Sequence, residues 1–332
     1  MRLLIISMPS IADSLKRELG SGVADVVTDV GGVKVQDYDV IGIAGTDKFI
    51  ITSLHKLNDV DKPILTIGLG TGFLNSVDLP NLRGAIDAIK GGDYEVEEIT
   101  RLMAVIKGKS LPHAINEVAI FPSKSATTLE YNLYIDDEYI WHDVADGIIV
   151  STPTGSTAYA MSAGGPLIHA KARVFEVVPV NSTNLARVPI VIPDECTVVI
   201  KDLVSRSRVE VIIDGSVRAY AGDEVRIMRG NALRLVRFNG ASSTIGRYER
   251  KINLIANMDL PPSAKFIMKV LEYEGQLTQR EISEKTMLPG RTIRYALNLL
   301  MRKGLVTKQT ILRGNKPVIV YSLSGKLTSH GT

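Results

Sequence analysis

A single cysteine, Cys196, is all the thiol in 332 residues. One thiol cannot close an intramolecular disulfide, so nothing ties the fold to an oxidising compartment. Long hydrophobic runs are missing as well: no apolar stretch approaches the roughly 20 residues that a membrane helix needs. The apolar opening, Met1 to Met8 (MRLLIISM), is too brief for a secretory h-region and has no cleavage site after it, so it reads as a first buried strand. Cytoplasmic residence is the expectation. Histidines are few and scattered. His55, His113, His142, His169 and His330 include none that pairs with Cys196 at ligand spacing, so no metal cage is expected. Internal repeats and low-complexity tracts are also absent.

What is present is ordinary globular material, with 45% hydrophobic and 23% charged residues and length enough for two or three domains with their own cores. The net charge of +3 conceals an asymmetry. From Ser263 to Thr332 there are 12 Lys/Arg against 4 Asp/Glu, leaving 27 against 32 in the rest. A basic tail on an acidic body implies that the tail alone meets a polyanion.

Along the first hundred residues short buried strands alternate with helical patterns: Leu3–Ser7, Val40–Ile43 and Pro63–Gly68 as strands, Ile11–Leu19 and Phe49–Leu57 as helices. That alternation predicts βαβ units and a parallel sheet. From Ala114 strand-like runs recur with little helix between them: Ala114–Phe121, Leu129–Ile135, Gly147–Ser151, Val188–Ile192, Thr197–Ile200, Val209–Ile213, Glu224–Met228 and Leu233–Phe238. They predict an antiparallel β domain, with one helix at Ser156–Met161. Pro261-Pro262 punctuates the chain, and beyond it come helical patterns at Ser263–Tyr273, Gln279–Thr286 and Arg291–Arg302, then a strand pair at Leu305–Thr310 and Val318–Leu323. The expected division is an α/β domain over 1–110, a β-rich domain over 111–240, a linker over 241–260 and a small basic domain over 261–324, with a frayed end from Ser324.

The most specific run is Asp146 to Pro166, DGIIVSTPTGSTAYAMSAGGP. A buried strand feeds a Pro-Thr-Gly turn, then hydroxyl residues open a helix. Backbone N–H groups and hydroxyls at such a place suit phosphates and ribose hydroxyls, and Tyr159 can pack on a base. Taken alone, the run is more often simply a capped helix after a strand. Its wording resembles the TGSTAY signature of the NAD kinase family, whose members phosphorylate the adenosine ribose 2′-hydroxyl of NAD. Asn116-Glu117 resembles the family's Asn-Glu pair, Arg187-Val188-Pro189 lies where a similar turn occurs, and Asp214-Gly215 matches a late Asp-Gly turn. The resemblance covers about Val40 to Phe238 and implies a two-domain NAD kinase-like body, α/β plus all-β. It further implies that Asn116 and Glu117 hold ribose hydroxyls of NAD or NADP, and that Thr157, Ala158, Tyr159 and Ser162 line the adenosine end. Asp214 joins this set as a lower-ranked candidate, since Asp-Gly alone is a hairpin turn.

The family's Gly-Gly-Asp-Gly-Thr is where the sequence departs from the pattern. Here the stretch reads Ala44-Gly45-Thr46-Asp47-Lys48, and the next glycine-rich loop, Gly68 to Phe73, looks shorter than the family's. Side chains replace glycines that let the backbone approach ATP phosphates. Because phosphoryl transfer is mostly positioning, such changes should damage turnover more than dinucleotide binding. Asp47 is the one candidate catalytic residue, Lys48 could hold a phosphate as a point charge, and Mg²⁺ would enter only with ATP.

Thr278 to Gly304, TQREISEKTMLPGRTIRYALNLLMRKG, opens on a capping box, Thr278 with Glu281, and resembles the winged helix-turn-helix of prokaryotic transcription factors. That resemblance places Arg291, Thr292, Arg294, Tyr295 and Asn298 toward the major groove, and Lys308, Arg313, Asn315 and Lys316 on a wing toward phosphates. A small protein-binding module with a solvated basic face is the alternative. The expected function is a transcriptional regulator that senses NAD(H) or NADP(H), working as a homodimer or homotetramer on double-stranded DNA. The competing reading is an active NAD kinase with a regulatory DNA-binding tail. A lipid kinase sharing the fold is disfavoured by TGSTAY and the Asn-Glu pair.

Overall fold

The computed structural model describes residues 1–20, 22–69, 74–124, 126–238, 260–313 and 316–324, apart from the side chains of Pro262, Glu272, Leu312, Arg313 and Lys316. The expected linker up to residue 259, the expected frayed end beyond Ser324, most of the second glycine-rich loop and Asn315 lie outside the described residues. The chain divides into two compact units: Met1–Ser53 with Lys62–Val96 and Val236–Thr332, and Leu54–Asp61 with Glu97–Leu235.

In the first unit, β1 (Leu3–Ser7), α1 (Pro9–Leu19), β2 (Asp25–Val27), β3 (Val40–Gly45), α2 (Asp47–Lys56, its end from Leu54 belonging to the second unit), β4 (Ile64–Gly68), β5 (Val77–Asp78) and α3 (Leu82–Gly91) follow one another. The strands pair in parallel, in the order β2-β1-β3-β4 with β5 beside β4. Every residue of β1, β3 and β4 is buried, which a parallel sheet covered by helices requires. Pro9 opens α1, where a missing N–H costs nothing, and Ala12, Leu15 and Leu19 turn to the core. Helix α3 was not anticipated: Gly84 and Gly91 lower its propensity, yet Leu82, Ala85, Ile86 and Ile89 form an inward stripe.

β6 (Glu95–Ile99) carries the chain into the second unit, which is all-β with one short helix. It holds β7 (Leu102–Ile106), β8 (Lys109–Ser110), β9 (Glu117–Pro122), β10 (Leu129–Ile135), β11 (Glu138–Ala145), β12 (Gly147–Ser151), α4 (Tyr159–Ser162), β13 (Val174–Val180), β14 (Ile190–Pro193), β15 (Val198–Val204), β16 (Val209–Ile213), β17 (Val217–Tyr220) and β18 (Glu224–Arg229). β19 (Leu233–Arg237) leads back. Two antiparallel sheets, ordered β11-β10-β15-β18-β7-β8 and β14-β13-β12-β9-β16-β17, share one core that includes Leu102, Tyr131 and Val225 from the first and Val118, Phe175 and Val211 from the second. β13 escaped the sequence pattern because a charged Glu176 and Pro179 interrupt an otherwise buried strand. The strand expected from Ala114 starts at Glu117 instead. Ala114 forms an isolated bridge to Leu102, and the next amides turn to a side chain described below.

The C-terminal part of the first unit comprises α5 (Pro262–Glu274), α6 (Gln279–Thr286), α7 (Gly290–Arg302) and the hairpin β20 (Val306–Arg313) and β21 (Lys316–Leu323). Leu277 bridges to Tyr321, adding a third short edge to the hairpin. The core joins Ala264, Ile267 and Leu271 to Ile282, Ile293, Ala296, Leu297 and Leu300. The capping box is formed: Glu281 N–H donates to Thr278 Oγ1 at 3.1 Å and Thr278 N–H to Glu281 Oε2 at 2.7 Å. Met287, with φ 54°, ends α6 in the left-handed region and turns the chain into Leu288-Pro289.

Candidate functional site

In the second unit the Asn-Glu pair lies at the head of β9, and its backbone is gathered by a carboxylate from far along the chain. Asp214 sits in the tight β16–β17 turn with φ 46°, buried. Its Oδ1 accepts from the amides of Asn116 (2.8 Å) and Glu117 (3.1 Å), its Oδ2 from the amide of Ile115 (2.9 Å). His55 Nε2 lies 2.9 Å from the same Oδ2. The Asp-Gly pair is thus a hairpin turn and a scaffold for Asn116-Glu117 together. His55 carries no sequence signal linking it to a site 159 residues away.

The run after β12 packs beside this pair. Gly155 is required there, since any Cβ would collide with the Asn116 carbonyl. The expected single helix at Ser156–Met161 is a 3-10 turn, Gly155–Thr157, and the four-residue α4, broken at Ala158 with φ −98° and ψ −124°. The break follows from how the hydroxyls are used. Ser156 Oγ donates to the Pro153 carbonyl and accepts from Ile168 N–H, pinning the turn to a loop 12 residues on. Thr152 Oγ1 donates to the Ile115 carbonyl and accepts from Gly155 N–H, and Thr157 donates to the Thr154 carbonyl. These hydroxyls face the protein.

Other groups are available. Tyr159 is 43% exposed and stacks on Phe121, ring centroids 5.7 Å apart, giving a flat aromatic surface; Ser162 is exposed beside it. Among the described residues Thr154 Oγ1 is buried with no hydrogen-bond partner, and the carboxylate of Glu176 is buried with the Ser151 hydroxyl beside it. Across the sheet Glu117, Ser151 and Glu176 are neighbours on three adjacent strands. Burial pushes the Glu176 carboxyl up to about 7. The sequence reading missed Glu176, whose only signal is a charge inside an apolar strand.

In the first unit, β3 ends at Gly45 and α2 begins at Asp47, so Thr46 alone forms the turn. Phe49 N–H points to Thr46 Oγ1 at 3.4 Å. The space a Cβ would take at Gly45 is filled by Phe49 and Met8, so only glycine fits there. Asp47 occupies the first turn of α2, favourable for an acid. Lys48 Nζ donates to Glu274 at 2.9 and 3.1 Å. Among the described residues no group of three or more His, Cys, Asp and Glu is placed to hold a metal.

In α7, Arg291, Arg294, Tyr295 and Asn298 are exposed and Thr292 half-buried, while Ile293, Ala296, Leu297 and Leu300 are buried. Lys308 is exposed on β20; Arg313 and Lys316 face each other at the end of the hairpin, their side chains outside the described atoms.

The β3-turn-α2 unit, the Asn-Glu pair held by the Asp-Gly turn and the two-sheet β domain are the α/β plus all-β parts expected of an NAD kinase-like body, here with a winged-helix module. Comparison with known proteins agrees. The ATP-NAD kinase C-terminal domain family matches residues 115–237, and the winged helix-turn-helix DNA-binding family matches residues 266–307. NAD kinase of Methanothermobacter thermautotrophicus is 37% identical over 184 residues, 55% of this chain and 65% of that protein. NAD kinase of Marinomonas sp. is 32% identical over 260 residues, 70% of this chain and 88% of that protein. Among solved structures, yeast NADH kinase complexed with NADH covers 78% of this chain and 88% of its own with a TM-score of 0.64 at 21% identity. An Archaeoglobus fulgidus NAD kinase in complex with ATP gives 77%, 100%, 0.64 and 23% for the same quantities. The chain belongs to the NAD kinase family.

Proposed function

We propose that the chain is a transcriptional regulator that senses a pyridine dinucleotide with its NAD kinase-type body and binds double-stranded DNA through α7. The observation that carries this reading is the division of α7 into a buried apolar face and an exposed face of Arg291, Arg294, Tyr295 and Asn298. The body supplies groups suited to NAD or NADP: Tyr159 as a stacking surface, the unpartnered Thr154 hydroxyl as a hydrogen-bond group, and the held Asn116-Glu117 pair for ribose hydroxyls. Thr157, Ala158 and Ser162 complete the adenosine end, and Asp214 acts by positioning. Arg313, Lys316 and Lys308 contribute phosphate contacts from the wing. Action in the cytoplasm as a symmetric dimer or tetramer would place two α7 helices on half-sites about 10 base pairs apart or a multiple. Sensing requires the dinucleotide to bind DNA-bound and free forms with different affinity. Footprinting on the gene's own upstream region, with and without NAD⁺, NADH, NADP⁺ and NADPH, tests it. A footprint that moves with one of them is the expected result, and no sequence-dependent protection would refute the regulator.

The second reading, a working NAD kinase, is favoured by Asp47, an acid retained at the head of α2. ATP with Mg²⁺ would supply the phosphoryl group in that case. Robust NADP⁺ formation abolished by Asp47→Ala would put this reading first.

A further inference from the structure

The winged-helix module rests on the β3–α2 turn through a small set of contacts that the dinucleotide reading does not use. Glu274, the last residue of α5, places one carboxylate between two ammonium groups. Lys48 Nζ donates to Oε1 and Oε2 at 2.9 and 3.1 Å, and Lys285 Nζ of α6 donates to Oε1 at 2.8 Å. Burial works against the charge on Glu274, yet the two lysines outweigh it and hold its carboxyl below the ordinary range. The Tyr273 ring lies 5.9 Å from Lys48 Nζ. The next residue, Gly275, has φ 84°, and a Cβ there would stand 2.7 Å from Thr46 Cγ2. Backbone of the module therefore lies directly against the turn, and only glycine permits the approach.

We infer that Glu274 is an internal competitor for Lys48, a latch that a polyphosphate chain arriving at the β3–α2 turn displaces, freeing the winged helix. The lysines are 42% and 36% exposed, so the latch is screened and modest, and a multivalent phosphate can outbid one carboxylate. The inference rests on the regulator reading, because release of the module matters only if that module acts on DNA.

The test uses the full chain and needs neither DNA nor dinucleotide, so its failure is separable from that of the regulator. Calorimetry measures binding of inorganic tripolyphosphate and of ATP, and hydrogen exchange follows residues 262–286. Tripolyphosphate is expected to bind and to speed exchange across that segment. Glu274→Gln should speed exchange without ligand and tighten tripolyphosphate binding by roughly threefold to tenfold. Lys48→Met should speed exchange but weaken binding. Gly275→Ala alters no charge, should loosen the same segment, and guards against a misfolded Glu274 variant. Tighter binding of ATP than of tripolyphosphate would mark a nucleotide as the ligand, and equal binding an inorganic polyphosphate. Equal affinity of the natural protein and Glu274→Gln, no binding of either probe, or exchange indifferent to ligand and to Lys48→Met would each overturn the latch.

Discussion

Asn116 donates its backbone N–H to Asp214 Oδ1 at 2.8 Å, across 98 residues of sequence. The same carboxylate takes two further amides and faces His55. Asp214→Asn would turn an amide NH₂ toward donors that need an acceptor, leaving at least one buried N–H unpaired. The expected cost is about 2–4 kcal/mol of stability, read by urea denaturation, together with weaker dinucleotide binding. A variant as stable as the natural protein would mean that the clamp is dispensable.

Tyr159 offers an exposed ring already flattened against Phe121. Tyr159→Ala should weaken dinucleotide affinity by roughly tenfold, whereas Tyr159→Phe should change it little, because the face and not the hydroxyl does the stacking. Asn116→Ala is expected to weaken binding as well. Calorimetric titration decides, and equal affinities for the alanine and natural proteins would remove Tyr159 from the site.

Glu176 makes stability depend on pH. Its carboxyl is pushed up to about 7 by burial, so the native state keeps a proton that the unfolded chain has already lost. Stability from this group is complete below the ordinary carboxylate range, declines as pH rises toward about 7, and is lost above it. Glu176→Gln keeps the neutral shape and should flatten that decline, leaving the variant about 1–3 kcal/mol more stable than the natural protein near pH 8. Denaturation midpoints at about pH 5 and pH 8 test this; parallel pH dependence in both proteins would exclude the effect.

On the winged helix, Arg291→Ala and Arg294→Ala should each cost about 1–3 kcal/mol on the preferred sequence and flatten the preference itself. Lys308→Ala should weaken all sequences alike and reduce the salt slope by about one. Competition binding at several salt concentrations separates these behaviours. Identical salt slopes for all three variants would argue against a phosphate role for Lys308.

Local rules made much of this molecule readable. Thr278 and Glu281 announced their capping box, and Ile293, Ala296, Leu297 and Leu300 announced an inner face, because spacing within one helix fixes both. The wording from Thr154 to Tyr159 pointed to its family. What stayed hidden was non-local. No periodicity relates His55 to Asp214, or Lys48 to Glu274, which are 226 residues apart. Ser156 belonged by pattern to a helix, but its hydroxyl bonds with Ile168 and Pro153 hold a tighter turn, and that competition is visible only once the chain has folded. Glu176 was masked by the apolar residues on either side of it.

The first unit is discontinuous, begun by Met1–Ser53 and finished by residues from Val236 onward. Val236 lies in the same core as Leu3, Ile5 and Leu65. During synthesis at about 5–20 residues per second, the ribosome therefore releases every residue of the second unit before it releases the last pieces of the first. The earliest-made strands must wait for Val236, which is made after the whole of the second unit, so a nascent chain stalled near residue 235 would carry a complete second unit and a parallel sheet still lacking Val236. Synthesis order and completion order differ in this chain, and a truncation that removes Val236 will be felt by strands at the N-terminus.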